Sequence, residues 1–308
     1  MVGSAVPTWR RAVGMLRPTR TLRTGRAWTP ELPAGSTVHL PGRGDVFVRR
    51  STAGSGVPVL LLHGWTWTLD INYFGVMPAL SARQPWVGLD HRGHGGGLPI
   101  GGPFTLEDCA EDVLGVLDAL GIEQVIVCGF SLGGPVGLTF ALAHPERVAG
   151  LVLIATALNY TQTPRDRLLW RMVAAAEPLT RLNIGSTVSA RYFGANRTRT
   201  AELSNRWHWL RDELARTPAR NVVAMGNVVR RYDLRDRVAP LRTIPSAVVV
   251  TTRDTLCRPA LQHQLVNQLG ADVVVLPADH DVPVTNPQLF ADRVLEAIER
   301  VRDHGQPH

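Results

Sequence analysis

The sequence predicts a doubly wound α/β fold with a mostly parallel sheet and an inserted helical region, and three observations lead there. Strand-like runs such as Val57–Leu62, Gln124–Phe130, Val148–Ile154 and Ala247–Thr251 are apolar apart from a terminal Gln124 and Thr251, as strands buried on both faces of a parallel sheet must be. Segments of helical periodicity separate them, which is the alternation of βαβ units. That alternation stops between residues 158 and 240, where helical patterns occur without a strand-like run, and then resumes.

The division that follows is a basic extension over residues 1–30, a core formed by 31–157 with 241–308, and a helical insertion over 158–240. In the extension, Trp9, Val13 and Leu16 share one face of a short helix that Pro18 ends early. It reads as a disordered basic tail, the other reading being weak contact with an anionic membrane surface. Arginines interrupt every apolar stretch of a signal peptide there. Between Thr37 and Arg50, Pro41-Gly42-Arg43-Gly44 joins two extended runs into an opening hairpin. A strand from Val57 stops at His63-Gly64-Trp65, and another, Trp86–Asp90, runs into the glycine-rich His91–Gly97. From Thr105 to Leu120, apolar residues recur at helical spacing behind a Thr105/Asp108 capping pattern. After the run ending at Phe130, a helix extends from Leu132 to His144 before Pro145. Val273–Leu276 is the last strand, and Pro287–Val301 the last helix.

Charge and cysteine content narrow the function classes. All 33 basic residues are arginine, and the net charge is +7. The extension contributes six arginines without an acid, and the insertion holds 15 arginines against seven acids, so the core is acidic. No nucleic-acid recognition module accompanies this charge, so no nucleic-acid partner is expected. No apolar run approaches the ~20 residues that cross a bilayer. Cys109, Cys128 and Cys257 lack metal-ligand spacing and read as reduced, buried thiols of a cytoplasmic protein. Neither a cofactor nor a metal is called for.

The chemistry centres on Gly129-Phe130-Ser131-Leu132-Gly133-Gly134. A strand that becomes a helix with almost no loop strains the corner residue and pushes its side chain out of the sheet, while flanking glycines avoid the clash. The helix then aims its free amides and positive dipole end at Ser131. A serine hydroxyl is a weak nucleophile, so it needs a base and a group that orients the base. His280 and Asp254 follow two later strands, and the order serine, aspartate, histidine matches the one known where such a corner carries the nucleophile. Asp279 and Asp281 flank His280, but adjacent side chains rarely converge, so Asp254 is preferred. His63 and His94 lie in tight loops and read as backbone braces, and His144 ends a helix. A developing oxyanion needs two backbone donors, best supplied by Leu132 and by Trp65 in the loop after the Leu60–Leu62 strand.

From Thr37 to Val301 the chain resembles single-domain α/β-hydrolases with a helical cap, on the strength of His63-Gly64-Trp65, Asp90-His91-Arg92-Gly93-His94-Gly95, the Ser131 corner, Asp254 and His280. The resemblance implies that Ser131, Asp254 and His280 serve as nucleophile, acid and base, with oxyanion amides at Trp65 and Leu132. It departs at Asp279 and Thr251, where such proteins usually carry glycine before the histidine and often before the acid. Ser131 argues against epoxide hydrolases and haloalkane dehalogenases, whose nucleophile is aspartate. The expected function is a serine hydrolase that cleaves an ester or related acyl bond of a small substrate. Carbon–carbon hydrolysis, perhydrolysis and ligand binding with vestigial turnover are the alternatives. Trp170, Met172, Tyr192, Phe193, Trp207 and Trp209 supply most large side chains outside the core. Some of them are expected to wall an apolar acyl pocket, with the insertion's arginines mostly outside.

Overall fold

The computed structural model describes residues 28–175, Pro178 and 201–304. Most of the expected basic extension lies outside these residues. Trp28, placed in that extension by sequence, packs edge-on against Phe74 and Trp209 at ring separations of 5.8 and 5.6 Å. The packed body therefore begins before residue 31, because an indole that can be buried is not left in a solvated tail.

The chain opens with the hairpin β1 (Gly35–Leu40) and β2 (Gly44–Ser51), followed by β3 (Val59–Leu62). Two short helices, α1 (Leu69–Tyr73) and α2 (Met77–Ser81), lead to β4 (Trp86–Leu89). Then come α3 (Leu106–Ala119), β5 (Val125–Phe130), α4 (Gly133–Ala143) and β6 (Val148–Ile154). Between β6 and β7 (Ser246–Thr251) lie α5 (Pro164–Ala175), α6 (Ala201–Ala215) and α7 (Ala219–Val229). The chain finishes with α8 (Pro259–Leu269), β8 (Asp272–Leu276), α9 (Val282–Thr285) and α10 (Pro287–His304).

The eight strands form one sheet in the order β1-β2-β4-β3-β5-β6-β7-β8. β2 pairs antiparallel with both its neighbours, and every other pairing is parallel. All residues of β3, β5 and β7 are buried. Alternation along the strands divides them between two cores: Leu60 and Leu62 pack with α3, α4 and α8, while Val59 and Leu61 pack with α1, α2 and α10. Two buried faces explain why these strands read as unbroken apolar runs.

Local chemistry sets the helix ends. Thr105 Oγ1 accepts the Asp108 N–H while Asp108 Oδ2 accepts the Thr105 N–H, closing the expected capping box. α8 has no counterpart in the sequence expectations, although Leu261, Leu265 and Leu269 recur at helical spacing. It stops at Gly270 in the left-handed region, a conformation glycine takes without a Cβ penalty.

From β3 the chain moves to β4 on one side, yet β5 lies on the other side of β3. The carboxyl ends of β3 and β5 thus face the crevice at a topological switch point, where open α/β sheets bind ligands. No helix among the described residues is long and apolar enough to cross a membrane.

Candidate active site

Ser131 occupies the corner between β5 and α4 with φ at +51°. That conformation is costly for a residue with a side chain, and the surroundings hold it. Its N–H donates to Ile154 O, and its carbonyl accepts from Gly134 N, Thr156 Oγ1 and Tyr160 Oη at 3.0, 2.8 and 3.3 Å. A Cβ on Gly129 would lie 2.4 Å from Gly133 O, and one on Gly133 would lie 2.1 Å from Leu62 O. Both contacts are with backbone, so the corner tolerates only glycine at these positions.

Three strand ends bring the predicted residues together. His280 Nε2 is 3.0 Å from Ser131 Oγ, and His280 Nδ1 is 2.7 Å from Asp254 Oδ2. The Asp254 carboxylate is fully buried, and the imidazole is 12% exposed. Asp254 Oδ1 accepts the N–H groups of Leu256 and Cys257, and Oδ2 accepts the Thr251 hydroxyl. Asp279 turns elsewhere: its Oδ1 accepts the N–H groups of Thr255 and His280. The charge that departs from the family pattern is thus spent on loop backbone. The Phe130 ring lies 5.0 Å from the imidazole and stacks on Trp67, which holds His280 from one side.

Trp65 and Leu132 stand at the ends of the two elements that meet at the switch point. Neither backbone N–H makes a hydrogen bond among the described residues. The loop carrying Trp65 is braced by a buried histidine trio. His91 N–H donates to His63 Nε2, so His63 carries its proton on Nδ1 and donates to Gly64 O. His94 accepts the Thr66 N–H at Nε2 and donates from Nδ1 to Arg92 O. Burial pushes His63 well below the usual imidazole range, His91 to about 3 and His94 to about 4. These rings are neutral braces, as the sequence reading held for His63 and His94. Beside them, burial raises Asp90 to about 6 even though it accepts the N–H groups of Leu69 and Gly96. Among the described residues no group of three or more His, Cys, Asp or Glu side chains is placed to hold a metal ion.

The segment between β6 and β7 is tied to these loops at one end. Thr68 Oγ1 donates to Glu213, Arg216 bridges Glu213 and reaches to 3.6 Å from Asp90, and Asn221 donates to Gly93 O. Arg216 thus turns inward, unlike most arginines of the segment in the sequence expectation. Trp170 packs on Trp65 at 5.3 Å, and Trp207 and Trp209 are half-buried against the core. Met172 is 64% exposed. Tyr192 and Phe193 lie outside the described residues.

Nothing in the sequence pattern points to Thr156, Tyr160 or Gln262, whose hydrogen bonds support the corner and the acid loop. Thr251 carried a signal as a departure from glycine. The arrangement sets a serine hydroxyl against an imidazole, a buried carboxylate on the far side of that ring, and, at the same sheet edge, two backbone amides without a hydrogen bond among the described residues. Chemically, it suits attack on a carbonyl carbon.

Known proteins share this architecture. The pimeloyl-[acyl-carrier protein] methyl ester esterase of Aeromonas hydrophila is 28% identical over 257 residues, covering 80% of this chain and 95% of that one. RutD of Caulobacter segnis is 44% identical over 81 residues, but the match spans only 25% of this chain and 30% of RutD. The crystal structure of a hydrolase from Pseudomonas aeruginosa superposes with a TM-score of 0.72 at 29% identity, covering 86% of this chain and 98% of that one. The model of the alpha/beta hydrolase fold matches residues 57–287. That stretch takes in every strand from β3 to β8 together with the whole segment between β6 and β7, and on this ground the chain belongs to the α/β hydrolase fold family and is a hydrolase.

Proposed function

We propose that the protein is a serine hydrolase that cleaves an ester or related acyl bond through an acyl-enzyme intermediate. The observation that carries this reading is the unbroken contact from Ser131 Oγ through the His280 ring to Asp254. Ser131 Oγ attacks the carbonyl carbon as its proton passes to His280 Nε2. Asp254 holds the Nδ1 proton and stabilises the imidazolium without taking the proton itself. The oxyanion is received by the Trp65 and Leu132 N–H groups at the positive end of α4. His280 then protonates the leaving alcohol, and in the second half it draws a proton from water, which releases the acid and restores Ser131.

The substrate is a small acyl compound with an apolar acyl part. The helices α5, α6 and α7 act as a cap above Ser131, and Trp65 and Trp170, in contact with each other, supply apolar wall. Each buried methylene contributes roughly 0.8 kcal/mol, so neutral aryl esters of about four to eight acyl carbons are expected to outperform shorter or anionic ones. Steady hydrolysis of such an ester, abolished in Ser131→Ala, is the expected result. Stoichiometric binding without turnover by the wild-type protein would instead mean a ligand-binding role. A preference for anionic esters that salt weakens would overturn the apolar pocket.

A further inference from the structure

The acid loop contains a directed chain of hydrogen bonds behind Asp254. Gln262, on α8, is fully buried. Its Oε1 accepts the Thr251 N–H at 2.9 Å, while its Nε2 donates to Cys257 O at 2.6 Å and to Thr251 Oγ1 at 2.8 Å. A flipped amide would set oxygen against the Cys257 carbonyl and nitrogen against the Thr251 N–H, so only one orientation is satisfied. With Nε2 donating to it, Thr251 Oγ1 must send its own hydrogen the other way. The acceptor there is Asp254 Oδ2, 2.8 Å distant. Asp254 thereby receives four donors: two backbone N–H groups on Oδ1, and the Thr251 hydroxyl and His280 Nδ1–H on Oδ2.

Two donors on each oxygen leave the carboxylate no free rotation about its last bond, and both side chains behind it are themselves fully buried. Without the Thr251 hydroxyl, Oδ2 would be held by the imidazole alone, the group it is meant to orient. We propose that Thr251 and Gln262 are positioning residues that lock Asp254 so that His280 presents Nδ1 to the acid and Nε2 to Ser131. The threonine that departs from the family's glycine is then a working part of the site. This inference rests on the acyl-transfer reading above.

The test compares Thr251→Val, Thr251→Ala and Thr251→Ser with the wild-type enzyme on an aryl ester. The valine and alanine variants should lose kcat on the order of 10- to 100-fold, as expected for one hydrogen bond to a charged group, with KM within about twofold. Serine restores the hydroxyl and should return kcat to within about threefold. By proton NMR, the hydrogen-bonded His280 Nδ1–H signal should shift or broaden in the first two variants and keep its position in the serine variant. Alanine opens space instead of changing polarity at full volume, so it carries the test should the valine variant fail to fold. Unchanged kcat and an unchanged His280 signal in the alanine or valine variant would overturn the proposal. Ser131→Ala, run in parallel, separates the two levels: if it stays active, the acyl-transfer reading fails, whereas if it is inactive and Thr251→Ala is normal, only the positioning role falls.

Discussion

The indole Nε1 of Trp65 donates to the carbonyl oxygen of Val222, 157 residues away, at 2.8 Å. This bond joins the loop after β3 to α7, and the same ring packs on Trp170 of α5. Gly226, one turn further along α7, leaves room for it: a Cβ there would meet Trp65 Cζ2 at 2.9 Å and Trp170 Cζ3 at 3.4 Å. The residue proposed to offer an oxyanion amide is therefore held by the segment proposed to cover the substrate.

Gly226→Ala should shift the Trp65 loop and lower kcat by about tenfold, since a small displacement of an oxyanion donor forfeits part of its roughly 2.7–4 kcal/mol. Affinity for a boronic acid that mimics the tetrahedral intermediate should fall in parallel. A variant that keeps both values would show that α7 and the loop are independent.

Ser131→Ala and His280→Ala should each reduce ester hydrolysis by several orders of magnitude with the fold intact. Because the two side chains act as one unit, the double variant should be little worse than either single change. Losses that multiply, measured as kcat/KM, would count against a shared mechanism.

Asp254→Asn should lower kcat on the order of 10⁴-fold, because an amide favours the wrong imidazole tautomer. Asp279→Asn should leave turnover within about tenfold, as its carboxylate serves the Thr255 and His280 backbone and does not touch the imidazole nitrogens. The reverse ranking in steady-state assays would transfer the acid role to Asp279.

Stability should fall as pH drops below the ordinary imidazole value of 6.5. The folded state holds His63, His91 and His94 below that value, so the unfolded chain takes up protons first. Their stabilisation is complete above 6.5 and is lost towards their folded values, with His94 alone, at about 4 when folded, accounting for on the order of 3 kcal/mol. Asp90 opposes this: raised to about 6, it favours the fold at low pH and loses that contribution as pH rises through 6. Three histidines outweigh one carboxyl, so urea midpoints should decline from pH 7 to 4.5. A flat or rising profile would mean that the trio is not neutral in the fold.

How much of this was legible beforehand differs from residue to residue. The strands near Val59, Trp86, Val125, Val148 and Ala247 could be read because burial on both faces demands an unbroken apolar run, a property of neighbours in the chain. The Ser131 corner was equally legible, since the steric exclusion at Gly129 comes from Gly133, four residues on, although that at Gly133 comes from Leu62 on β3. His280 and Asp254 followed from their places after strands.

Tertiary structure alone decided the rest. The Trp65 bond to Val222 and the inward turn of Arg216 towards Asp90 join elements that are far apart in sequence. A side chain's partners there are set by sheet order and helix placement, which arise from the packing of the two cores. Composition and spacing constrain the backbone locally, whereas a hydrogen bond between distant elements exists only once hundreds of other contacts have fixed both ends, and no short stretch of the chain contains that information.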